Sequence, residues 1–190
     1  MKLAIVVVDM LVDNLKTGKH AAIKKEGLAI VPALGDLLGR CREVGVPVIY
    51  ANDSFLSGDA LFRSRLQPHS LRGTPGAMVV PELAPEPCDL ILPKRRFSAF
   101  YKTDLDQTLR TLGVDTLAVA GITTTFCVLT TALDAVQHDF RAVILEDVCA
   151  APIREAHRSC LDLYRESVLW PLLRVEGSDA LWRAWETGTW

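Results

Sequence analysis

Six short apolar runs, separated by segments of helical spacing, leave this chain very few ways to fold. "LAIVVV" (3–8) is a continuous β-branched run, the pattern of a strand buried on both faces. "PVIYA" (47–51), "DLILP" (89–93), "TLAVA" (116–120), "RAVILE" (141–146) and "SVLWPL" (167–172) read as five more strands. Between them lie helical patterns. Ile30, Leu34, Leu37, Leu38, Cys41 and Val44 recur at helical intervals, and Gly45 supplies a stop. Thr103 and Asp106 form a capping-box pair opening a helix that runs through Leu112. A further helix is expected from about Thr125 to His138. Another is expected over 152–166, with Pro152 in its first turn. Strand–helix alternation implies a parallel sheet with helices on both faces, and such sheets bind ligands at the carboxyl ends of their strands.

The 190 residues suit one core, and 49% hydrophobic with 23% charged residues is ordinary for a globular protein. A net charge of -2 gives no reason to expect a nucleic acid or a membrane surface as partner. No stretch is long and apolar enough to span a bilayer, and the N-terminal apolar run meets Asp9 without a cleavage site. Five cysteines, odd in number and irregular in spacing, argue against a disulfide framework, so a cytoplasmic location is expected. The expected organisation is one domain over residues 1–175 and a Trp-rich tail over 176–190. The tail "SDALWRAWETGTW" reads first as a helix covering the core and second as a contact with another subunit. Residues 52–88 form a connection too long to be a mere turn, which points to a functional loop.

Three chemistry-bearing residues stand at strand ends. Asp9 follows the first strand, Lys94 the third, and Cys127 opens the helix after the fourth. Singly, each has a plain structural explanation: a turn former, a solvated cation, a small buried hydrophobe. At one edge of a parallel sheet they are complementary. A helix N-terminus and a lysine favour a thiolate, so a depressed thiol pKa is expected. A carboxylate can take the thiol proton and later deliver it to a leaving group. Gly121 allows a sharp turn, and backbone N–H groups between it and Cys127 can serve an oxyanion. No histidine is placed by sequence to act as base; His20 and His157 read as surface residues. Neither a GxGxxG nor a P-loop is present, so a nucleotide-binding protein is the weakest reading.

The segments "VVVDM", "LPKRRFSAFYKTDLD" and "AGITTTFCVLTTALDA", supported by "PVIYANDSF", "PHSLRGTPGA" and "VILEDVCAA", resemble the isochorismatase-like cysteine hydrolases, whose best-known members are nicotinamidases. The resemblance covers roughly residues 3 to 172. It implies a three-layer α/β/α sandwich with a six-stranded parallel sheet. It implies Asp9 as general acid/base, Lys94 as electrostatic partner and Cys127 as nucleophile. It also implies a cis Ile122–Thr123 peptide that aims the N–H groups of Thr123 and Cys127 at an oxyanion. The activity implied is hydrolysis of a small amide through a thioester, by a homo-oligomer with no cofactor. A catalytically silent binding subunit and a nicotinamidase proper are the alternatives.

The chain departs from the nicotinamidase pattern in two places. Asp53 and His69 match two metal-binding positions, but Phe55 stands where a histidine is expected, so no catalytic metal is expected and Asp53 and His69 are read as loop anchors. Five residues beyond Asp9, where nicotinamidases resemble one another in an aromatic, lies Asn14; Leu11 replaces a glutamine. Asn14, Phe55, Tyr101 and Phe126 are the expected substrate-pocket residues, with Phe100 a further aromatic nearby. Arg95 and Arg96 are either a carboxylate clamp or a solvated pair.

Overall fold

The run Leu3–Val8 becomes β1, the strand around which the rest is arranged. The computed structural model describes residues 1–17 and 21–189. β1 pairs in parallel with β2 (Val48–Asp53) on one side and β4 (Thr116–Ile122) on the other. β3 (Leu90–Lys94) extends the first side, and β5 (Arg141–Ala150) and β6 (Leu173–Glu176) extend the second. The order is β3-β2-β1-β4-β5-β6, all parallel. Chain progression reverses between β1 and β4, and the crevice at such a switch point is where open α/β sheets bind ligands.

Alternation along each strand builds two apolar layers. Ile5, Val7, Ala118, Ala120, Val143 and Leu145 face one side. There they meet α1 (Val12–Leu15), α2 (Ala21–Ala29) and α3 (Val31–Glu43) through Leu15, Ile23, Leu34 and Leu38, and α7 (Ser178–Thr187) through Leu181 and Trp182. Ala4, Val6, Leu117, Val119, Ala142 and Ile144 face the other side. Their partners are Leu105 and Leu109 of α4 (Leu105–Thr111), Ala132 and Ala135 of α5 (Leu129–Gln137), and Leu161 of α6 (Arg154–Arg165). Each buried aliphatic side chain contributes about 1.5–3 kcal/mol. Two such layers can support a cluster of buried charges at the sheet's edge. Among the described residues no helix is long and apolar enough to cross a membrane.

Three sequence expectations move. The strand expected at 167–172 is instead a turn, with a cis Trp170–Pro171 peptide and a bond from Trp170 N to Ser167 O, and β6 begins at Leu173. Pro171 has no N–H to give a ladder, so the run cannot pair as a strand there. The helical pattern from Ile30 to Val44 is α3 as expected, with Pro32 in its first turn. The capping box does not close: Thr103 Oγ1 accepts from Leu105 N, but Asp106 turns away to pair with Arg110. The helix expected from Thr125 starts as a π-helical turn (Thr124–Val128) before α5 takes over. His20 and Trp190 lie outside the described residues.

Candidate active site

Asp9 is the first residue past β1 and lies at φ 54°, a left-handed conformation that few non-glycine residues adopt. Its backbone is held there from three sides. Asp9 N donates to Ala51 O, while its carbonyl accepts from Leu11 N and from Asn14 Nδ2 at 2.9 Å. Strain of this kind persists where surroundings over-determine it, and it aims the carboxylate across the strand ends. One oxygen, Oδ1, accepts from Asp53 N at 2.8 Å. The other, Oδ2, lies 2.8 Å from Lys94 Nζ. Gly121 of β4 sits beside Val8 at φ 106°, and a Cβ there would collide with the Val8 carbonyl. Only glycine lets β4 approach β1 this closely just before the turn that bears Cys127.

Lys94 ends β3 with its side chain wholly buried, bridging Asp9 and Asp53 (Nζ to Asp53 Oδ1, 2.5 Å). Burial pulls the ammonium down, but Asp53 and Asp9 outweigh it and leave Lys94 above the usual lysine range. Asp53 is pushed up to about 7, first by burial and then by the Asp9 carboxylate, with Lys94 acting against both. One cation thus serves two carboxylates in a space closed to water.

Cys127 lies in the π-helical turn, with its sulfur and one oxygen each of Asp9 and Asp53 within 4.8 Å of one another. Burial raises the thiol well above its ordinary value; Lys94 opposes this, while both carboxylates and a hydrogen bond to Asp9 add to it. The expectation of a depressed thiol pKa is therefore corrected. Desolvation and two carboxylates act in the opposite direction to the one ammonium. The Ile122–Thr123 peptide is cis, directly before this turn.

These groups form the floor of a cavity of about 340 Å³. Asn14, Phe55 and Phe126, expected as pocket residues, do line it. Tyr101 does not: it is half exposed and borders a separate surface depression with Arg72, Arg95, Arg96 and Lys102. Tyr101 lies seven residues past β3's end, and the turns between carry its ring to the outer side, which sequence order alone does not show. Phe100 is core, stacked on His138. The walls missed by sequence reasoning are Ile23 from α2, Leu61, Ser64 and Leu66 from the long loop, and Phe97 beside Phe126. The loop's length was the one signal for Leu61, Ser64 and Leu66, and nothing in the sequence marked Ile23 or Phe97.

Arg95 and Arg96 are neither a clamp nor a free pair. Both bond the Asp59 carboxylate, which also accepts from Leu56 N. This ties down the loop just before Leu61, Ser64 and Leu66. The hydrogen bond from Arg95, opposed by burial and helped by Leu56 N, holds Asp59 down at about 2 from an ordinary 3.8. A depressed value means the clamp is whole above the ordinary carboxylate range and is lost as pH falls from about 4 toward 2. Amide exchange across residues 56–66 should accelerate over that window in excess of the intrinsic rate. In Asp59→Asn it should be fast already at pH 5 with no further step, and KM should rise severalfold with kcat little changed. Equal exchange in both proteins would mean the loop is held by other contacts.

Of the two expected loop anchors, His69 bonds within the loop, while Asp53 serves chiefly elsewhere. Asp53 belongs to the ionic cluster; His69 Nδ1 lies 2.8 Å from Gln67 O and its ring packs edge-on against Phe55. The residues do not suit a metal of the nicotinamidase kind. Asp53 Oδ2 and His69 Nε2 lie 4.0 Å apart, but Asp53 Oδ1 is engaged by Lys94 Nζ, and the third position of that pattern is Phe55, a cavity-lining side chain with no ligand atom.

Comparison with known proteins agrees with this architecture. The profile of the isochorismatase domain matches residues 3–174. Ureidoacrylate amidohydrolase RutB of Rhizobium rhizogenes is 31% identical over 170 residues, covering 76% of this chain and 68% of its own. The crystal structure of N-carbamoylsarcosine amidase from Thermoplasma acidophilum superposes with a TM-score of 0.80 at 32% identity, over 94% of this chain and 98% of its own. That of nicotinamidase PncA from Bacillus subtilis gives 0.81 at 28% identity, over 93% and 99%. With the sheet order, the strand-end cluster and the matched profile in agreement, the chain belongs to the isochorismatase-like hydrolase superfamily.

Proposed function

We propose that this protein is a cysteine amidohydrolase that cleaves a small, uncharged amide with an apolar acyl group. The observation that carries the reading is the buried Asp9–Lys94–Asp53 cluster beside Cys127 at the floor of an apolar cavity. As sulfur attacks the amide carbonyl, its proton passes to Asp9. Charge develops on the carbonyl oxygen, where the N–H groups of Thr123 and Cys127 are the proposed donors; one such donor is worth about 10²–10³ in rate. Asp9 then protonates the leaving nitrogen, which departs as ammonia or a small amine and leaves a thioester. Asp9, again a carboxylate, takes a proton from water, whose oxygen attacks the thioester. The acid leaves, and the proton returns to sulfur. Lys94 keeps the Asp9 carboxylate in place through both steps.

The walls argue for the substrate's charge. Ile23, Phe55, Leu61, Leu66, Phe97 and Phe126 are apolar, and the floor carries Asp9 and Asp53. Among the described residues no lysine or arginine lines the cavity. Arg72 donates to Ser54 Oγ, and Arg95 and Arg96 are held by Asp59. A carboxylate substrate would thus meet apolar walls and like charge, at the desolvation cost of an unpaired ion. Nicotinamide is a neutral amide and stays within the class; ureidoacrylate and N-carbamoylsarcosine are carboxylates and fall outside it.

The test is ammonia release from a panel of neutral amides, nicotinamide and benzamide among them, beside carboxylate-bearing amides. Turnover of the neutral set with little of the other supports the reading. Preference for the carboxylates would overturn the charge assignment, and silence across both sets would favour a binding subunit. The exposed Leu163, Val168, Trp170 and Leu172 support a homo-oligomer, which sedimentation would measure. The five free thiols fit a reducing, cytoplasmic setting.

A further inference from the structure

We propose that His157 is a positioning residue for the nucleophile, acting on the Cys127 turn through Thr124. The inference rests on Cys127 being the nucleophile and adds to it a support from behind. Thr124 opens the π-helical turn, three residues before Cys127, and is completely buried. Helix α6 holds it by two groups. Its hydroxyl lies 2.8 Å from His157 Nδ1, and its carbonyl accepts from Leu129 N and from Cys160 Sγ at 3.9 Å. A π-helical turn carries one more residue than the α-helix it interrupts, so its shape depends on such side bonds more than an α-turn does.

His157 is half-buried and lines a cleft of about 360 Å³ that shares no lining residue with the substrate cavity. The charged groups around it come from three elements. Glu26 projects from α2, Glu146 from β5, and Arg158 from α6 itself, with Arg154, Asp162 and Arg165 lining the same cleft. Burial lowers the imidazole below its ordinary 6.5, and Arg158 adds to this, while Glu146 and Glu26 oppose it. In the proposal the neutral ring accepts from the Thr124 hydroxyl at Nδ1, the one side-chain partner of that buried hydroxyl among the described residues, and carries its proton on Nε2. Once protonated, Nδ1 becomes a donor. The hydroxyl must then rotate to accept, and its own hydrogen needs a new partner in a fully buried place. The folded value is lowered, so the bond is whole above the ordinary histidine range and weakens as pH falls below it. The cleft and the cavity share no lining residue, so protonation at His157 reaches the sulfur through the turn and not through a group that lines the cavity.

The experiment measures alkylation of Cys127 by iodoacetamide, read by mass spectrometry on its peptide, with exposed Cys88 as internal control. At about pH 8, His157→Ala and Thr124→Val should each slow Cys127 about tenfold, since small misplacements of a reacting atom cost one to two orders of magnitude. Cys88 should be unaffected. The double variant should be no slower than either single one, because both remove the same contact. His157→Asn keeps an acceptor near the Nδ1 position without titrating, so its rate should match wild type at pH 8. The ratio of its rate to that of wild type should then rise as pH falls toward about 5. Wild-type rates in His157→Ala, additive losses in the double variant, or a ratio flat with pH would each overturn the proposal. If His157→Ala fails to fold, the His157→Asn ratio decides alone. The readout needs no substrate, so silence on every amide would sink the hydrolase reading without deciding this one.

Discussion

Cys127→Ala should eliminate ammonia release, with kcat falling by at least about 10⁴-fold, the scale on which nucleophile removal acts in enzymes of this logic. The reason is positional. Cys127 is the one cysteine among the five that lines the substrate cavity. Cys41 is raised to about 12 by burial in the core, and Cys149 sits on β5 beside Gly121 of β4 with its Sγ bonded to Val119 O. Neither can take over. The apolar walls do not touch the sulfur's role, so substrate affinity of the variant, measured by equilibrium binding, should stay within a few fold. Rapid quenching of wild type should trap an acyl group on the Cys127 peptide, absent from the variant. Retained turnover in Cys127→Ala would mean that Asp9 activates water directly, and the thioester route would be wrong.

Lys94→Met should be the most damaging single substitution for stability. It fills the same volume but leaves Asp9 and Asp53 facing each other without a cation, both buried. Breaking a buried ionic arrangement by removing one partner costs about 3–5 kcal/mol. At about 2–4 °C per kcal/mol for a chain of this length, the melting midpoint should fall by about 10 °C. The loss should depend on pH in a defined sense. Asp53 is raised to about 7 even with Lys94 present, and without the ammonium it is raised further. The folded variant therefore holds protons that the unfolded chain releases, and its stability falls as pH rises through that window. The gap to wild type should be widest near pH 8 and shrink toward pH 5. A gap independent of pH would show that Lys94 acts by packing and not by charge.

The meeting of Asp9, Lys94 and Cys127 was legible because each sits at a strand end, and a parallel sheet brings strand ends to one edge whatever the loops do. The thiol's proton was not legible. Its state depends on counting Asp53 as a second carboxylate on Lys94, a contact between residues 41 apart in sequence. Tyr101 was misplaced for a similar reason: an aromatic near a motif reads as pocket, but the turn after β3 carries it outward. Arg95 and Arg96 read as surface charge until Asp59 folded back onto them. His157 read as a surface residue because nothing in the periodicity of α6 marks its contact with Thr124.

Apolar periodicity by itself determined a parallel sheet between two helical layers, since continuous β-branched runs can only be buried on both faces. It also determined which edge would carry the chemistry. Only the tertiary structure decided the charge and aim of that edge: which carboxylates share Lys94, which arginines are already engaged, and which walls close over Cys127. Those depend on contacts among residues far apart in the chain, and the strength of each is set by the burial that folding creates.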